Sequence, residues 1–390
     1  MRTSALWTLL ASGLAAVLFV AGEARSDDNM PGSFGPTAEA QSVVTLPDPK
    51  PHWVYVLDPV FPHITAGKIY IYDGDTLALV GMMNTGYTSN MAIAPDRKSL
   101  YVAETYWSRG SRGERVDMVT FYNPNTLEPS GEALLPKGRY LVVPKKPNAD
   151  LTPDGRFMLS YNMAPAMSVS VVDTRRKSYA GEIETPGCAL VYPISNTAFA
   201  MICADGGMAT INLDSAGKGK LERSKPFFDV EADPVFEHAA WSKSGQRGFF
   251  ISYAGLVYPV DLSGGKARIE PAWNLLDGQE AGWRPGGWQL AAYHAPTKRL
   301  FVLMHQGGRW THKQAGEQVW VYDTASKKRG AHLELEHHSI SVNVTQDGSP
   351  LIFTLSELAA MSVFDGKSYA HKGDIEGIGD SPYLLYVAGE

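Results

Sequence analysis

A short apolar segment that ends on Asp or Asn recurs seven times along this chain. Each copy is a run of β-branched or aromatic residues that turns at once into polar residues. The copies end at Asp73, Asn123, Asp173, Asp214, Asp261, Asp323 and Asp365, at intervals of 50, 50, 41, 47, 62 and 42 residues. A period of roughly 40–50 residues with several strands per unit is typical of a β-propeller. The repeat therefore predicts an all-β fold, a seven-bladed propeller of four-stranded antiparallel blades over residues 49–390.

A second signal precedes each terminal Asp or Asn from the second copy onward. Turn sequences such as those at 94–103, 152–161 and 345–355 place Pro, Asp and Gly between two apolar runs. These are the residues of tight hairpin turns. Each unit is thus predicted to contain a turn, a strand, a hairpin, a strand ending on Asp or Asn, and an outer strand. The terminal Asp and Asn side chains are predicted to hold Asx turns.

The first and last units of the predicted ring are incomplete in complementary ways. The first unit begins with residues 53–58 and has no strand before it, whereas residues 381–389 form a strand with no unit after it. We expect the C-terminal strand to complete the first blade, because closure removes exposed sheet edges. Loss of Pro382–Glu390 should then be severely destabilising.

Residues 1–26 have the pattern of a cleavable signal peptide. Arg2 precedes an uncharged apolar stretch, and Ala24-Arg25-Ser26 supplies small residues for cleavage. The alternative is an uncleaved membrane anchor, but the apolar core is short. Residues 27–48 are small, polar and rich in Pro and Gly, which predicts a flexible arm that is either disordered or wraps a partner subunit. The mature chain is therefore predicted to be exported from the cytoplasm.

Export makes the two cysteines informative. Cys188 and Cys203 are 15 residues apart and flank a predicted strand, turn and strand. In an oxidising compartment such a pair is expected to form a disulfide across one hairpin. A metal site is the weaker alternative, because there is no second pair of thiols.

Composition and motifs argue against several classes of function. The chain has 35 Lys and Arg against 41 Asp and Glu, a net charge of -6, and no basic stripe for nucleic acid. Beyond residue 26 no stretch is apolar enough to span a membrane. The sequence contains no P-loop, zinc-protease, dinucleotide-binding or nucleophile-elbow motif. The residues alone thus favour a secreted binding ring over a self-sufficient enzyme. The alternative is a hydrolase or lyase whose scattered histidines converge on a metal at the propeller axis.

Three irregular segments are longer than the fold requires. They are residues 104–118, 304–318 and 275–288, and all three contain Trp and Arg. Long loops on a rigid ring commonly form binding surfaces, and Trp and Arg are enriched in interface hot spots. Candidate interface residues are Trp107, Arg109, Trp283 and Trp310; the alternative is that each packs within its own hairpin.

These segments resemble the heavy (α) subunit of the quinoprotein amine dehydrogenases. The similar motifs are the S-R-x-x-R-G-E-R-x-D hairpin at 108–117, G-W-R-P-G-G-W-Q at 282–289 and W-x-H-K at 310–313. The cysteine pair also matches a disulfide of that family, and the resemblance spans about residues 50–390. It implies a seven-bladed propeller that joins a small light (β) subunit in a periplasmic α2β2 heterotetramer.

The same resemblance implies a division of labour. The light subunit would carry the tryptophan tryptophylquinone cofactor and the catalytic base, oxidise a primary amine to aldehyde and ammonia, and pass electrons to a blue copper protein. The heavy chain would bind no cofactor by itself. The candidate residues Trp107, Arg109, Trp283 and Trp310 would then contact the light subunit.

Two branches of the family are candidates. Methylamine dehydrogenase takes small amines and uses amicyanin, whereas aromatic amine (aralkylamine) dehydrogenase takes tyramine, phenylethylamine or tryptamine and uses azurin. The sequence looks closer to the aromatic branch. In the methylamine branch a D-P-A-H-F segment brings a Phe to the active-site mouth; here the segment is Asp58-Pro59-Val60-Phe61-Pro62-His63. Phe61 is predicted either to line that substrate channel or to be a buried blade residue.

Overall fold

The computed structural model describes residues 44–276 and 282–390, and within these residues the strands form seven antiparallel sheets. Each sheet is one blade of a β-propeller, as the repeat predicted. The predicted signal peptide lies outside the described residues, as does most of the predicted arm. Of the arm, residues 44–48 are described, and the backbone N–H of Leu46 donates to the carbonyl of Asn125 at 2.8 Å.

The first three blades follow one another along the chain. Blade 1 begins with β1 (Trp53–Asp58), β2 (Gly67–Asp73) and β3 (Ala78–Thr85). Blade 2 contains β4 (Tyr87–Ile93), β5 (Leu100–Arg109), β6 (Arg112–Tyr122) and β7 (Pro129–Leu134). Blade 3 contains β8 (Ala149–Leu151), β9 (Phe157–Asn162), β10 (Ser168–Asp173) and β11 (Ser178–Glu184).

The remaining blades repeat the pattern from the inner strand outward. Blade 4 contains β12 (Cys188–Ser195), β13 (Ala198–Cys203), β14 (Met208–Leu213) and β15 (Gly219–Arg223). Blade 5 contains β16 (Ala240–Ser242), β17 (Arg247–Ile251), β18 (Leu256–Asp261), β19 (Arg268–Ile269) and β20 (Trp273–Asn274). Blade 6 contains β21 (Trp283–Pro285), β22 (Ala291–His294), β23 (Arg299–Gln306), β24 (Gly316–Asp323) and β25 (Lys328–Ser339). Blade 7 contains β26 (Ser341–Val344), β27 (Leu351–Leu355), β28 (Ala360–Asp365) and β29 (His371–Glu376), and β30 (Leu384–Val387) follows it.

Short 3₁₀ helices cover Phe61–His63, Lys146–Asn148 and Ser263–Gly265. No helix in the described part of the chain is both long and apolar enough to cross a membrane.

The C-terminal strand closes the ring, as the sequence predicted. β30 pairs antiparallel with β1, with Val54 opposite Val387 and Leu57 opposite Leu384. Blade 1 therefore combines the first three strands with the last one, in the order β3-β2-β1-β30. The innermost strand of this blade comes from the far end of the chain.

Two blades have an interrupted strand rather than a fifth full one. In blade 5, β19 and β20 both pair with β18, and Pro271, which has no N–H to donate, lies between them. In blade 6, β21 and β22 both pair with β23. The chain leaves that sheet between them, and Gln289 bridges to Ser341 of the next blade. The four-stranded plan is thus retained with local breaks.

The seven recurring Asp and Asn residues hold equivalent turns. In each, the side-chain oxygen accepts a hydrogen bond from the backbone N–H two positions later, at 2.8–3.1 Å. A residue with positive φ follows each of them, four positions later in six turns and three positions later after Asp214: Leu77, Leu127, Lys177, Gly217, Gly265, Lys327 and Tyr369. The predicted Asx turns are confirmed, and their hydrogen bonds offset the cost of left-handed backbone at five non-glycine residues.

The core lies between the blades. Apolar side chains of adjacent sheets pack together, for example Trp53 and Met83 of blade 1 against Met91 and Leu100 of blade 2. Blade 4 also carries the predicted disulfide: Cys188 and Cys203 lie directly opposite each other on β12 and β13 and are bonded. These contacts make the ring a rigid support for its loops.

Candidate docking face

The propeller has two faces, and the alternation of strand direction decides which loops each one carries. The turn face carries the seven Asx turns and the D-G turns. The hairpin face carries the loops that join the second and third strands of each blade, such as 59–66, 110–111 and 307–315, together with the connections between blades. Residues 104–118 and 304–318, two of the long segments singled out from the sequence, reach the hairpin face, as do the described residues 282–288 of the third.

The sequence-predicted site residues are therefore brought to one face. Trp310 is 54% exposed and Phe61 is 41% exposed. Arg109 is also exposed, whereas Trp107 and Trp283 are half-buried. These residues come from blades 1, 2 and 6, so the structure places them on a shared surface rather than in one contact cluster.

In blade 2 the long hairpin is braced by a stacked guanidinium. Arg115 lies 5.4 Å from the ring centroid of Trp107 and 4.0 Å from that of Tyr140. The same guanidinium donates to both carboxylate oxygens of Asp117, at 2.9–3.2 Å. Trp107 is thus held by its own hairpin while one part of its surface stays open.

Buried polar groups support this hairpin from below. Glu104 accepts from the backbone N–H of Gly86 at 2.8 Å and from the hydroxyls of Tyr106 and Tyr122 at 2.9 and 3.3 Å. Burial raises the pKa of Glu104, although these hydrogen bonds oppose the shift. Arg139 is fully buried, donates to Asn90 Oδ1 at 2.6 Å, and has its pKa lowered by burial to about 10.

In blade 6 the second long hairpin projects an aromatic residue. Trp310 has a φ of 71° and contacts Tyr253 edge-on at 6.1 Å between ring centroids, with Arg309 4.6 Å from its ring. His312 stacks on the same Tyr253 at 3.9 Å. Trp283 behaves differently, because it packs against Trp320 of its own blade at 5.3 Å. Of the two Trp residues, Trp310 is the more available to a partner.

Phe61 lies on the hairpin face, in the loop between β1 and β2, and contacts the segment that leads into the innermost strand of blade 1. The carboxylate of Asp58 accepts hydrogen bonds from the backbone N–H groups of Val60 at 2.7 Å and Asp380 at 2.8 Å, which ties the Phe61 loop to the C-terminal segment. The Phe61 ring meets Tyr383 edge-on at 5.2 Å. Phe61 is therefore not a buried blade residue, and its exposed ring is free to line an opening.

The aromatic contacts continue inward from Phe61. Tyr383 packs on Trp288 at 5.1 Å, and Trp288 packs on His238 at 5.7 Å. His238 is buried, and burial lowers its pKa to about 3, so the imidazole is neutral. Sequence reasoning missed Tyr383 and Tyr140, because their partners are distant in the chain. Trp288 was inside a recognised motif, but its axial position carried no local signal.

Exposed apolar side chains are concentrated on this face. Apart from the candidates above, the large exposed ones here are Tyr106, Leu134, Tyr140, Val142, Met163, Val230 and Leu358. A groove beside blades 4 and 5 adds the half-buried Phe227 and Phe228. An apolar surface spread over several blades is typical of a protein interaction site. No group of three or more His, Cys, Asp or Glu that could hold a metal ion occurs in the described ranges.

Fold and surface together define the class of protein: a seven-bladed β-propeller with one aromatic-rich face built from long hairpins. A family model, methylamine dehydrogenase heavy chain, matches residues 50–388. The chain belongs to this family.

Individual relatives agree with the family match. The methylamine dehydrogenase heavy chain of Methylophilus methylotrophus is 32% identical over 98% of this chain and 96% of its own length. That of Methylorubrum extorquens is 33% identical over 86% of this chain and 82% of its own. Among solved structures, the dihydro-heme d1 dehydrogenase NirN superposes with a TM-score of 0.56 at 15% identity, covering 91% of this chain and 79% of that one. This last likeness concerns the fold alone.

Proposed function

We propose that this chain is the heavy subunit of a periplasmic quinoprotein amine dehydrogenase. Family membership over residues 50–388 is the observation that carries the proposal. The reaction is the oxidation of a primary amine to an aldehyde and ammonia. The light subunit carries the tryptophan tryptophylquinone cofactor and the catalytic base, and no catalytic residue is assigned to this chain.

In this proposal the hairpin face receives the light subunit, in an α2β2 heterotetramer. Trp107, Arg109 and Trp310 project from two hairpins and are the candidate anchors. Trp283, which packs on Trp320, contributes through the shape of its blade. A rigid aromatic surface of this kind excludes water from a partner at small cost in side-chain entropy.

For the substrate we propose a primary aromatic amine such as tyramine, phenylethylamine or tryptamine, with azurin as the electron acceptor. Phe61 supports this choice, because its exposed ring and the edge-on Tyr383 form an aromatic wall on the hairpin face. An arylalkyl group can stack against such a wall, and a methyl group gains far less from it. Phe61 is therefore proposed to line the substrate channel.

Methylamine oxidation with amicyanin as acceptor is the second candidate. The names of the curated relatives, which are methylamine dehydrogenase heavy chains at 32% and 33% identity, favour it. The two candidates differ in substrate and acceptor but share the same division between heavy and light chains.

The test is to co-express this chain with its light subunit and assay amine-dependent reduction of azurin and amicyanin. Higher kcat/KM for phenylethylamine than for methylamine supports the aromatic proposal, and the reverse supports the second candidate. In the aromatic case Phe61→Ala should raise KM for phenylethylamine, whereas Leu358→Ala, at an exposed position on the same face, should not.

Two outcomes would overturn the shared proposal. Amine oxidation by this chain without a second polypeptide would contradict the division of labour. A protein that purifies from its native source as a monomer without quinone absorbance would instead be a stand-alone binding propeller.

A further inference from the structure

A cavity of about 340 Å³ lies on the propeller axis and opens toward the turn face, opposite the docking face. Its walls come from the innermost strands of several blades, with Ala92, Ala149, Ala240 and Ala292 leaving the space free. His238 and Gln289 lie at its inner end. Because the cavity opens away from the hairpin face, a light subunit bound there leaves it accessible. Its size is that of a small-molecule site.

Two ion pairs border this cavity. Lys243 Nζ donates to Asp150 Oδ1 at 2.6 Å, and Lys146 Nζ donates to Glu390 Oε2. The four side chains are between 17% and 28% exposed, so they are largely withdrawn from water. Each pair joins two different blades or their connections. Partly buried ion pairs are weak sources of stability, so their concentration at one cavity calls for another reason.

The interior of the cavity offers mainly aromatic surface, and the buried hydroxyl of Tyr386 in its wall has no hydrogen-bond partner among the described residues. Two other polar groups of the lining are already paired. The indole N–H of Trp241 already donates to the carbonyl of Pro193 at 2.7 Å, and the hydroxyl of Tyr192 donates to that of Glu237 at 2.6 Å. The ring of Tyr386 lies 5.1 Å from Lys146 Nζ, so this wall already accommodates a cation. The side-chain amide of Gln289 is occupied by Leu385.

We propose that the axial cavity binds a free α-amino acid with an apolar or aromatic side chain. The ligand's ammonium group takes one carboxylate of the border, its carboxylate takes one lysine, and its side chain enters the aromatic interior. A zwitterion supplies one charge of each sign, so both the carboxylate and the lysine that it contacts keep a partner of opposite charge. An amine or an acid alone leaves one partly buried charge without a partner, which is costly.

The test is to titrate the purified full chain with L-phenylalanine and to measure the heat of binding by calorimetry. Phenylethylamine, 3-phenylpropanoate and glycine are the matched probes, lacking the carboxylate, the ammonium and the side chain respectively. We expect saturable binding of L-phenylalanine, at least about tenfold tighter than each probe. Absence of saturable heat up to the solubility limit of L-phenylalanine, or equal binding of phenylethylamine, overturns the proposal.

Variants locate the site. Lys243→Met should weaken L-phenylalanine binding at least about tenfold, whereas Lys367→Met, at an exposed lysine of blade 7, should not change it. Ser244→Trp narrows the cavity mouth at an exposed position and provides a second reading if Lys243→Met fails to fold. Unchanged binding in a folded Lys243→Met or Ser244→Trp variant places the ligand elsewhere and overturns the assignment. None of these results depends on amine dehydrogenase activity.

Discussion

The side-chain amide of Gln289 forms a two-point hydrogen bond with the backbone of Leu385. Its Nε2 donates to the Leu385 carbonyl at 3.0 Å, and its Oε1 accepts from the Leu385 N–H at 2.9 Å. Gln289 ends the G-W-R-P-G-G-W-Q motif, and Leu385 lies on the strand that closes the ring. The motif that marks the family in sequence thus ties blade 6 to blade 1 at the axis.

The glycines of this motif make the approach possible. A Cβ at Gly287, whose φ is 107°, would lie 2.9 Å from the carbonyl oxygen of Ile340, which accepts from the backbone N–H groups of Trp288 and Gln289. Gly286 is equally confined, because a Cβ there would lie 2.3 Å from His305 Nδ1. The segment can therefore lie against blade 7 and direct Gln289 toward Leu385.

Replacing Gln289 should destabilise the whole ring. Gln289→Leu leaves the buried N–H of Leu385 without its acceptor, while Asn343 still donates to the carbonyl. We expect the free energy of unfolding to fall by about 2–4 kcal/mol in denaturant titrations. The exposed Gln306→Leu is the control and should change it by less than about 0.5 kcal/mol. Equal effects of the two substitutions would contradict the axial role.

Removal of Pro382–Glu390 should abolish stable folding. The deletion exposes β1 and removes four buried apolar residues, Leu384, Leu385, Tyr386 and Val387. At about 1.5–3 kcal/mol for each side chain, the loss is roughly 6 kcal/mol or more, comparable to the total stability of many domains. Circular dichroism on heating should show no cooperative transition, whereas deletion of Glu390 alone should retain one. A cooperative transition in the longer deletion would show that the ring closes without β30.

Trp310 is predicted to be an interface anchor rather than a stabiliser of the fold. Because its side chain is 54% exposed, Trp310→Ala should leave the melting temperature nearly unchanged. Affinity for the light subunit should fall by about 2 kcal/mol, as measured by sedimentation of the mixed subunits. Leu79→Ala on the outer strand of blade 1, at a side chain 56% exposed, is the matched control and should assemble normally. Normal assembly of Trp310→Ala would remove this residue from the interface.

His52 forms a pH-dependent contact across the closing seam between blades 1 and 7. Its Nδ1 lies 2.9 Å from the Asp75 carboxylate and its Nε2 lies 3.2 Å from Asp347 Oδ2. Burial acts to lower the pKa of His52, but the hydrogen bonds and charges of the two carboxylates outweigh it, and the pKa is raised above 6.5. The charged imidazole is thus favoured in the folded state.

The sign of the pH dependence follows from this raised pKa. The contact stabilises the fold fully below the unfolded pKa of about 6.5, and the contribution disappears as pH rises through the higher folded value. The difference in unfolding free energy between the wild type and His52→Asn should therefore be larger at about pH 5.5 than at about pH 8.5. Solvent screening limits this difference in unfolding free energy to less than about 1 kcal/mol. A difference that grows toward high pH would contradict the contact.

Much of the fold was readable locally. The seven Asx turns depend on a side chain and a backbone N–H two residues away, so a repeat in the sequence was sufficient to place Asp73 and its six equivalents. The disulfide was readable because Cys188 and Cys203 belong to one hairpin. The interruptions in blades 5 and 6 were not anticipated. Whether a strand leaves its sheet depends on contacts with the neighbouring blade, and these contacts have no local signal in the sequence.

The sequence by itself determined the blade count, the turn chemistry, the ring closure and the family, since each depends on local periodicity or on a contiguous motif. Only the tertiary structure decided that Phe61, Trp107 and Trp310 share one face, and that an axial cavity with paired charges opens on the other. Strand direction alternates within every blade, so the side of the ring on which a loop emerges is known only once all strands are paired. The contacts around the axis join residues far apart in the chain, such as Gln289 and Leu385, so no local pattern in the sequence reveals them.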